Sequence, residues 1–313
     1  MNHKLSPLGE KIFLDRYALK DMTRDSLAIG QTVIAKFQQG KFEAREVATV
    51  TAIDKAGVTI ETRDGDVKTV PVEHLDIPVE TNVEQMFARV ARGAASVERT
   101  EEKKLEWENK FGWLLDGFKF TPGGRILAAL GTEQNLSLYN CFVIPSPKDS
   151  RQGVMDCLSN MAEIMSRGGG VGINISSLRP RYAYVKGVNG RSSGSVSWGG
   201  LYSFVTGLIE QGGSRRGALL LLLADWHPDV LEYINSKRTS GTITNANISV
   251  AISDKFMKAV EDDADWELMF PDTNAPNYTE TWDGNINKWI ESGGPVVVHK
   301  TMKAREVWNE IIT

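Results

Sequence analysis

The chain has 313 residues, 41% of them apolar and 24% charged, an ordinary globular composition with room for one large or two ordinary domains; a disulfide-stapled miniprotein is excluded. Its 36 basic and 40 acidic residues leave a net charge of −4, so no basic field for non-specific nucleic-acid binding is implied. Two cysteines, Cys141 and Cys157, and four histidines are too few for a zinc ribbon or iron–sulfur cluster built by this chain alone, and they point to a reducing compartment. The N-terminal stretch to Lys20 lacks an apolar signal core, and the longest apolar run, Ala218 to Ala224, is too short to span a bilayer. A soluble, cytoplasmic protein without a membrane partner is predicted.

In chain order, Leu5, Leu8, Ile12 and Phe13 set a helical stripe within residues 4 to 22. From Gly30 to Pro78 the period changes to short β-branched runs, with Arg63-Asp-Gly-Asp as a hairpin signal, which predicts a small antiparallel barrel resembling SH3-like modules. Helical periodicity returns from Asn82 to Phe118 through Val83, Met86, Phe87 and Val90, then Trp107, Phe111 and Leu114. The expected division is an N-terminal helical segment at 1–27, the SH3-like module at 28–80, a helical segment at 81–120 that completes the N-terminal region, and an α/β region at 121–313.

Within that last region, Leu136 to Ile144 reads as a buried strand, and Asp149-Ser150 offers a side-chain cap to a helix carrying Val154, Leu158, Met161 and Met165 on one face. Val171-Gly-Ile-Asn-Ile is the next strand, Gly199 to Glu210 a helix, Ala218 to Ala224 a fully buried strand, and Asp229 to Lys237 another helix. Strands alternating with helices predict an α/β architecture with a largely parallel sheet. No internal repeat is evident.

Three glycine-rich segments stand out: Thr121-Pro-Gly-Gly-Arg-Ile-Leu, Arg167-Gly-Gly-Gly-Val-Gly-Ile-Asn and Gln211-Gly-Gly-Ser-Arg-Arg-Gly. None has the spacing of a Walker phosphate loop, and Gly168-Gly-Gly-Val-Gly follows a helix where a dinucleotide fingerprint opens one. Their bare backbones allow close approach of a ligand, and arginines beside them, with Arg179 and Lys186 on a polar loop, favour a phosphorylated one.

Thr121-Pro-Gly-Gly-Arg-Ile-Leu-Ala, Tyr139-Asn-Cys-Phe-Val-Ile, Gly168-Gly-Gly-Val-Gly-Ile-Asn-Ile-Ser, Ile209-Glu-Gln-Gly-Gly-Ser-Arg-Arg-Gly-Ala and Trp226-His-Pro-Asp-Val-Leu-Glu-Tyr-Ile occur in the order and spacing of the catalytic chain of ribonucleotide reductases. The detailed wording resembles the class II, adenosylcobalamin-dependent type. This resemblance implies the N-terminal half of a ten-stranded α/β barrel, preceded by a helical region with the small SH3-like barrel inserted. The implied reaction is reduction of ribonucleoside di- or triphosphates to 2′-deoxyribonucleotides by thiyl-radical chemistry.

Carried over residue by residue, Cys141 matches the strand cysteine oxidised to a disulfide as two electrons reach the ribose, while Cys157 reads as a buried structural cysteine. A Cys141–Cys157 pair stays open as an arrangement within this chain, although the family pairs its strand cysteine with one on a later strand. Asn140 and Gly170 match positions lining the substrate ribose, and Thr121 one near the substrate phosphate. Asp149 and Ser150 fall at the regulatory site, where Asp149 matches the carboxylate for the effector's deoxyribose hydroxyl, with helix capping as its rival role; Arg179 and Lys186 match the cations on the effector's phosphates. Gln211, Gly212, Gly213, Ser214, Arg215 and Arg216 match the specificity loop between effector and substrate bases.

The family's radical cysteine, in an Asn-x-Cys-x-Glu context, has no counterpart in this chain, and the sequence stops inside an amphipathic helix at Lys303 to Thr313. A split enzyme or a truncation is therefore expected, inactive until a complementary C-terminal reductase chain completes it. The implied partners are the ribonucleotide substrate, a dNTP or ATP effector, adenosylcobalamin held with the complementary half, a thioredoxin-like reductant, and a second copy of the chain through the effector-site helices. The alternatives are a class I large chain with a separate radical subunit, or a non-catalytic nucleotide-binding scaffold.

Overall fold

The polypeptide divides between Leu138 and Tyr139 into two units. They are seen in a computed structural model that describes residues 5–21, 23–40, 42–211, 215–238 and 242–313.

The first unit opens with helix α1 (Pro7–Arg16), whose start is set by Pro7 at the first helical position and by Ser6 Oγ accepting from Gly9 N–H at 3.1 Å. Strands β1 (Lys20–Asp21), β2 (Thr32–Gln39), β3 (Phe42–Asp54), β4 (Gly57–Thr62), β5 (Val67–Val70) and β6 (Leu75–Pro78) form one antiparallel sheet in the order β1-β6-β2-β3-β4-β5. Alternating apolar residues such as Val33, Ala35, Ala48, Val50 and Ile60 give it its own core. Six antiparallel strands match the expected β-rich module at the coarse level; closure into an SH3-like barrel is not among the strand pairings of the described residues. The sheet also draws in Lys20–Asp21, upstream of the expected boundary at 28.

Helix α2 (Val83–Ala95) follows a reciprocal cap between Asn82 and Gln85 and buries Val83, Met86, Phe87, Val90 and Ala91 along one stripe. Helices α3 (Glu101–Leu115) and α4 (Gly124–Ala129) complete this core, to which Leu115 and Leu127 belong. A buried ion pair, Arg89 Nε to Glu80 Oε1 at 2.7 Å, sits beside it, and the same guanidinium donates to the Leu127 and Leu130 carbonyls at 3.0 and 2.6 Å.

The second unit is built on a four-stranded sheet whose first strands in the chain are β7 (Cys141–Val143) and β8 (Gly170–Asn174). Helix α5 (Arg151–Ser166) joins β7 to β8. A hairpin of β9 (Tyr184–Val185) and β10 (Gly190–Arg191), helix α6 (Ser195–Leu208) and the paired β11 (Glu210–Gln211) and β12 (Arg215–Arg216) lead to β13 (Leu219–Ala224). Helix α7 (Val230–Asn235) then leads to β14 (Asn247–Ala251). Strands β7, β8, β13 and β14 lie side by side in that order, every adjacent pair parallel. After them come α8 (Asp254–Glu261), β15 (Asp265–Pro271), α9 (Tyr278–Thr281), α10 (Ile286–Glu291), β16 (Val296–Lys303) and α11 (Ala304–Ile312), with β15 and β16 antiparallel.

One face of the parallel sheet carries Val171, Ile173, Leu219, Leu221 and Leu223, packed on Val154, Met161 and Met165 of α5 and on Val196 and Tyr202 of α6. Register partners share a face, so the other face carries the row Val143, Gly172, Leu220 and Asn247, with Cys141 and Gly170 one step earlier. That face is open: Val143 is 92% and Leu220 39% exposed. This corrects two sequence expectations. Leu136 to Ile144 is a strand only over Cys141–Val143, exposed at both ends because β7 is an edge strand with one uncovered face. Ala218 to Ala224 is not fully buried but alternates, because helices cover only one side of β13.

Candidate functional site

Two clusters of side chains emerge in the second unit. The first lies on the open face of the parallel sheet, where the strands begin. Cys141 and Gly170 are register partners, and Gly170 N–H donates to the Asn140 carbonyl at 2.7 Å. A cavity of about 580 Å³ lies here, lined by Cys141, Gly170, Gly172, Gly217, Lys237 and Asn247 among others. Glycines at 170 and 172 leave the middle of its floor without side chains, so a ligand beside the Cys141 thiol rests on backbone.

The neighbouring glycines are there for packing. A Cβ on Gly169 would lie 2.7 Å from both Ile164 Cγ2 and the Phe142 ring, and one on Gly217 2.7 Å from the Thr206 carbonyl. Gly217 follows the predicted specificity loop, of which the backbone at Gln211 pairs with Arg215 and that of Glu210 with Arg216. Gly212, Gly213 and Ser214 lie outside the described residues. Cys141 is exposed and Cys157 is buried in the helix-side core; both are free thiols. Burial pushes the Cys157 thiol up, which makes it inert as a nucleophile. Thr121 belongs to the first unit, where it is exposed two residues ahead of Gly123, the N-cap of α4.

The second cluster gathers around Asp149. Ser150, not Asp149, caps α5, its Oγ accepting from Gly153 N–H at 3.0 Å. The Asp149 carboxylate instead binds Arg179: Oδ1 accepts from the Arg179 backbone N–H at 3.0 Å and Oδ2 from Nε at 2.7 Å. Arg179 also donates through a terminal nitrogen to the Tyr184 carbonyl at 3.2 Å, which ties it to the β9–β10 hairpin. Lys186 is exposed at the tip of that hairpin. Carboxylate, guanidinium and ammonium thus follow one another from a half-buried end to an exposed one. That sequence suits a ligand with a hydroxylated ring and a polyphosphate tail.

What holds this cluster is a set of buried polar contacts. Ser177 Oγ donates to the Pro147 carbonyl at 2.6 Å, clamping the two segments that carry Asp149 and Arg179. His227 lies wholly buried, its Nε2 2.9 Å from the Leu178 carbonyl and its Nδ1 accepting from Asp229 N–H at 3.0 Å. These contacts fix the tautomer with the proton on Nε2, and burial lowers the pKa so that the ring stays neutral. Asp229 in turn accepts from Arg181 N–H and from both N–H and Oγ of Ser195 at the start of α6. The His-Pro-Asp segment therefore acts as an internal strut.

Sequence reasoning missed Tyr278. Its hydroxyl donates to Asp149 Oδ2 at 2.6 Å across 129 residues of sequence. It missed Lys237 and Asn247 in the cavity as well. No local motif marks Tyr278 or Lys237; Asn247 opens β14 within the stretch Ile243 to Ala251, which resembles the family. Among the described residues no group of three or more His, Cys, Asp or Glu side chains is arranged to hold a metal ion, and no helix is long and apolar enough to cross a membrane.

Comparison with known proteins gives two family matches, the ribonucleotide reductase barrel domain over residues 139–313 and the ribonucleotide reductase all-alpha domain over residues 74–135. The ribonucleoside-diphosphate reductase large subunit of variola virus is 32% identical over 199 residues, 62% of this chain and 26% of the relative. A vitamin B12-dependent ribonucleoside-diphosphate reductase of Mycobacterium tuberculosis is 36% identical over 192 residues, 60% of this chain and 28% of the relative. That of Thermoplasma acidophilum is 33% identical over 205 residues, 65% of this chain and 24% of the relative. The chain spans about a quarter of the length of the curated relatives it matches.

Proposed function

The chain belongs to the ribonucleotide reductase large-subunit family, and from that premise we propose that it is the N-terminal part of a reductase that converts ribonucleoside di- or triphosphates to their 2′-deoxy forms. The observation that carries this reading is the cavity at the start of the parallel strands, where the exposed Cys141 thiol flanks a glycine floor of nucleotide size. In it, Cys141 and a second thiol supply two electrons and two protons, the ribose 2′-hydroxyl leaves as water, and the thiols become a disulfide. Asn140 and Gly170 line the ribose. Cys157 is buried in the opposite core and is not the second thiol; that thiol and the radical cysteine are assigned to a C-terminal half, on a complementary reductase chain or in further sequence of the same one. A thioredoxin-like reductant restores the thiols.

The Asp149 cluster is read as the allosteric effector site for a dNTP or ATP, with Asp149 and Ser150 at the sugar end and Arg179 and Lys186 at the phosphates. Gln211 to Arg216 form the specificity loop. Support comes from Gly217, which directly follows that loop and lines the cavity beside Cys141, so a backbone shift in the loop reaches the substrate. Oligomerisation through the effector-site helices is supported by Phe204 and Leu208 of α6, which are 63% and 65% exposed. The β-rich stretch 28–80 is read as an SH3-like docking or structural appendage, and the compartment as cytoplasmic.

A class II enzyme with adenosylcobalamin as radical source is the first choice, since two of the relatives above are named vitamin B12-dependent. The cavity at Cys141, about 580 Å³, is too small to enclose a corrinoid, which is assigned to the complementary half. The variola relative, named a large subunit, favours a class I chain with a separate radical subunit as the second reading. Turnover of the chain combined with a C-terminal half, with adenosylcobalamin or with a radical subunit, separates the two. Cys141→Ser is expected to abolish turnover in that assay and leave effector affinity nearly unchanged. Unchanged turnover would refute the reductive role and favour a nucleotide-binding scaffold.

A further inference from the structure

Tyr278, the first residue of α9, is 3% exposed and sits among aromatic rings: it stacks on Trp282 at 6.4 Å between centroids and meets Trp289 edge-on at 6.0 Å. Burial and the adjoining Asp149 carboxylate push its phenol far above the ordinary range, so it remains protonated and is a standing hydrogen-bond donor. It spends that proton on Asp149 Oδ2, at 2.6 Å, where Arg179 Nε already donates at 2.7 Å. Oδ1 takes only the Arg179 backbone N–H among the described residues. A carboxylate oxygen offers about two acceptor directions, so Oδ2 is filled and Oδ1 keeps one for a ligand.

We propose that Tyr278 is the positioning residue that sets the sugar selectivity of the effector site, by occupying Asp149 Oδ2 and leaving Oδ1 as the acceptor for the 3′-hydroxyl of a bound deoxynucleotide. The inference rests on the reading of Asp149 as the effector-sugar carboxylate. Tyr278 itself does not touch the ligand. Without its hydroxyl only the two Arg179 bonds hold the carboxylate and Oδ2 regains an open acceptor direction, so the acceptor is no longer fixed on Oδ1 toward the sugar.

The test compares thymidine triphosphate with its 3′-deoxy analogue by equilibrium binding to the 313-residue chain. The unaltered protein is expected to hold the 3′-hydroxyl form about tenfold more tightly, the worth of one hydrogen bond to a charged acceptor. Tyr278→Phe keeps the ring and removes the donor; the ratio is expected to fall to about 1–2, with affinity for the 3′-deoxy analogue unchanged. Trp289→Phe perturbs the packing around Tyr278 without touching Asp149, and its ratio is expected to stay near that of the unaltered protein. A full ratio in Tyr278→Phe, an equal collapse in Trp289→Phe, or loss of the fold in Tyr278→Phe overturns the inference while the effector reading stands. Absence of any 3′-hydroxyl preference in the unaltered protein overturns both.

Discussion

Gly169→Ala isolates how the helix-side packing holds β7, the strand that carries Cys141. An added Cβ would meet Ile164 Cγ2 and Phe142 Cε2 at 2.7 Å and Phe142 Cδ2 at 2.8 Å. Ordinary carbon contacts begin near 3.5 Å, so the Phe142 ring and Ile164 must together give way by the better part of an ångström. Overpacking of this kind costs about 1–3 kcal/mol, and the reduced freedom of the unfolded chain returns about 0.4–1 kcal/mol. The net loss is about 1–2 kcal/mol, a fall of roughly 2–8 °C in the melting temperature of a unit this size. Because Phe142 adjoins Cys141, a displaced ring also moves the thiol, and turnover of the completed enzyme is expected to fall by up to about a hundredfold. Gly170→Ala is the control: its Cβ would sit 3.3 Å from the Asn140 carbonyl and 3.4 Å from Ala218 Cβ, which a shift of a few tenths relieves. Thermal unfolding followed by near-ultraviolet circular dichroism reads both. A Gly169→Ala melting temperature equal to or above that of the unaltered protein would refute the packing argument.

The thiols and the buried histidine give two further expectations. A chromogenic disulfide reagent is expected to label one thiol per native chain rapidly, at Cys141, and the second only in denaturant; rapid labelling of two would show that the Cys157 core opens. For His227, whose pKa is lowered by burial, the unfolded chain takes up a proton below its ordinary value near 6.5 while the native ring does not. Protons then favour the unfolded state, so stability is full above pH 6.5 and falls as the pH drops, by at most about 1.4 kcal/mol per pH unit from this group. Urea midpoints between pH 7 and 5 check this, and a His227→Gln variant with the same slope would assign the loss elsewhere.

Local features were read directly from residues. The α2 stripe of Val83, Met86, Phe87 and Val90 and a side-chain cap offered by Asp149-Ser150 rest on contacts within four positions, which spacing alone encodes. The turn at Arg63 to Asp66 was legible for a similar reason, since Gly65 takes a left-handed φ of +85°. Asp149 shows where that reading stops. Its neighbours allow it to cap a helix, and only the approach of Arg179 and Tyr278 decides that its carboxylate faces them while Ser150 does the capping.

Cys141 divides in the same way. Its motif, its strand and its place in the family follow from the order of residues, because hydrophobic period and glycine spacing are properties of the chain itself. Whether the thiol lies in a core or on an open cavity depends on which face of the sheet the helices cover. That choice is made by packing of α5 and α6 on Val171, Leu219 and Leu221, far apart in sequence. The sequence thus determined the family and the periodic elements, and the tertiary structure alone decided which residues share a face, because burial and register are set by contacts between distant segments.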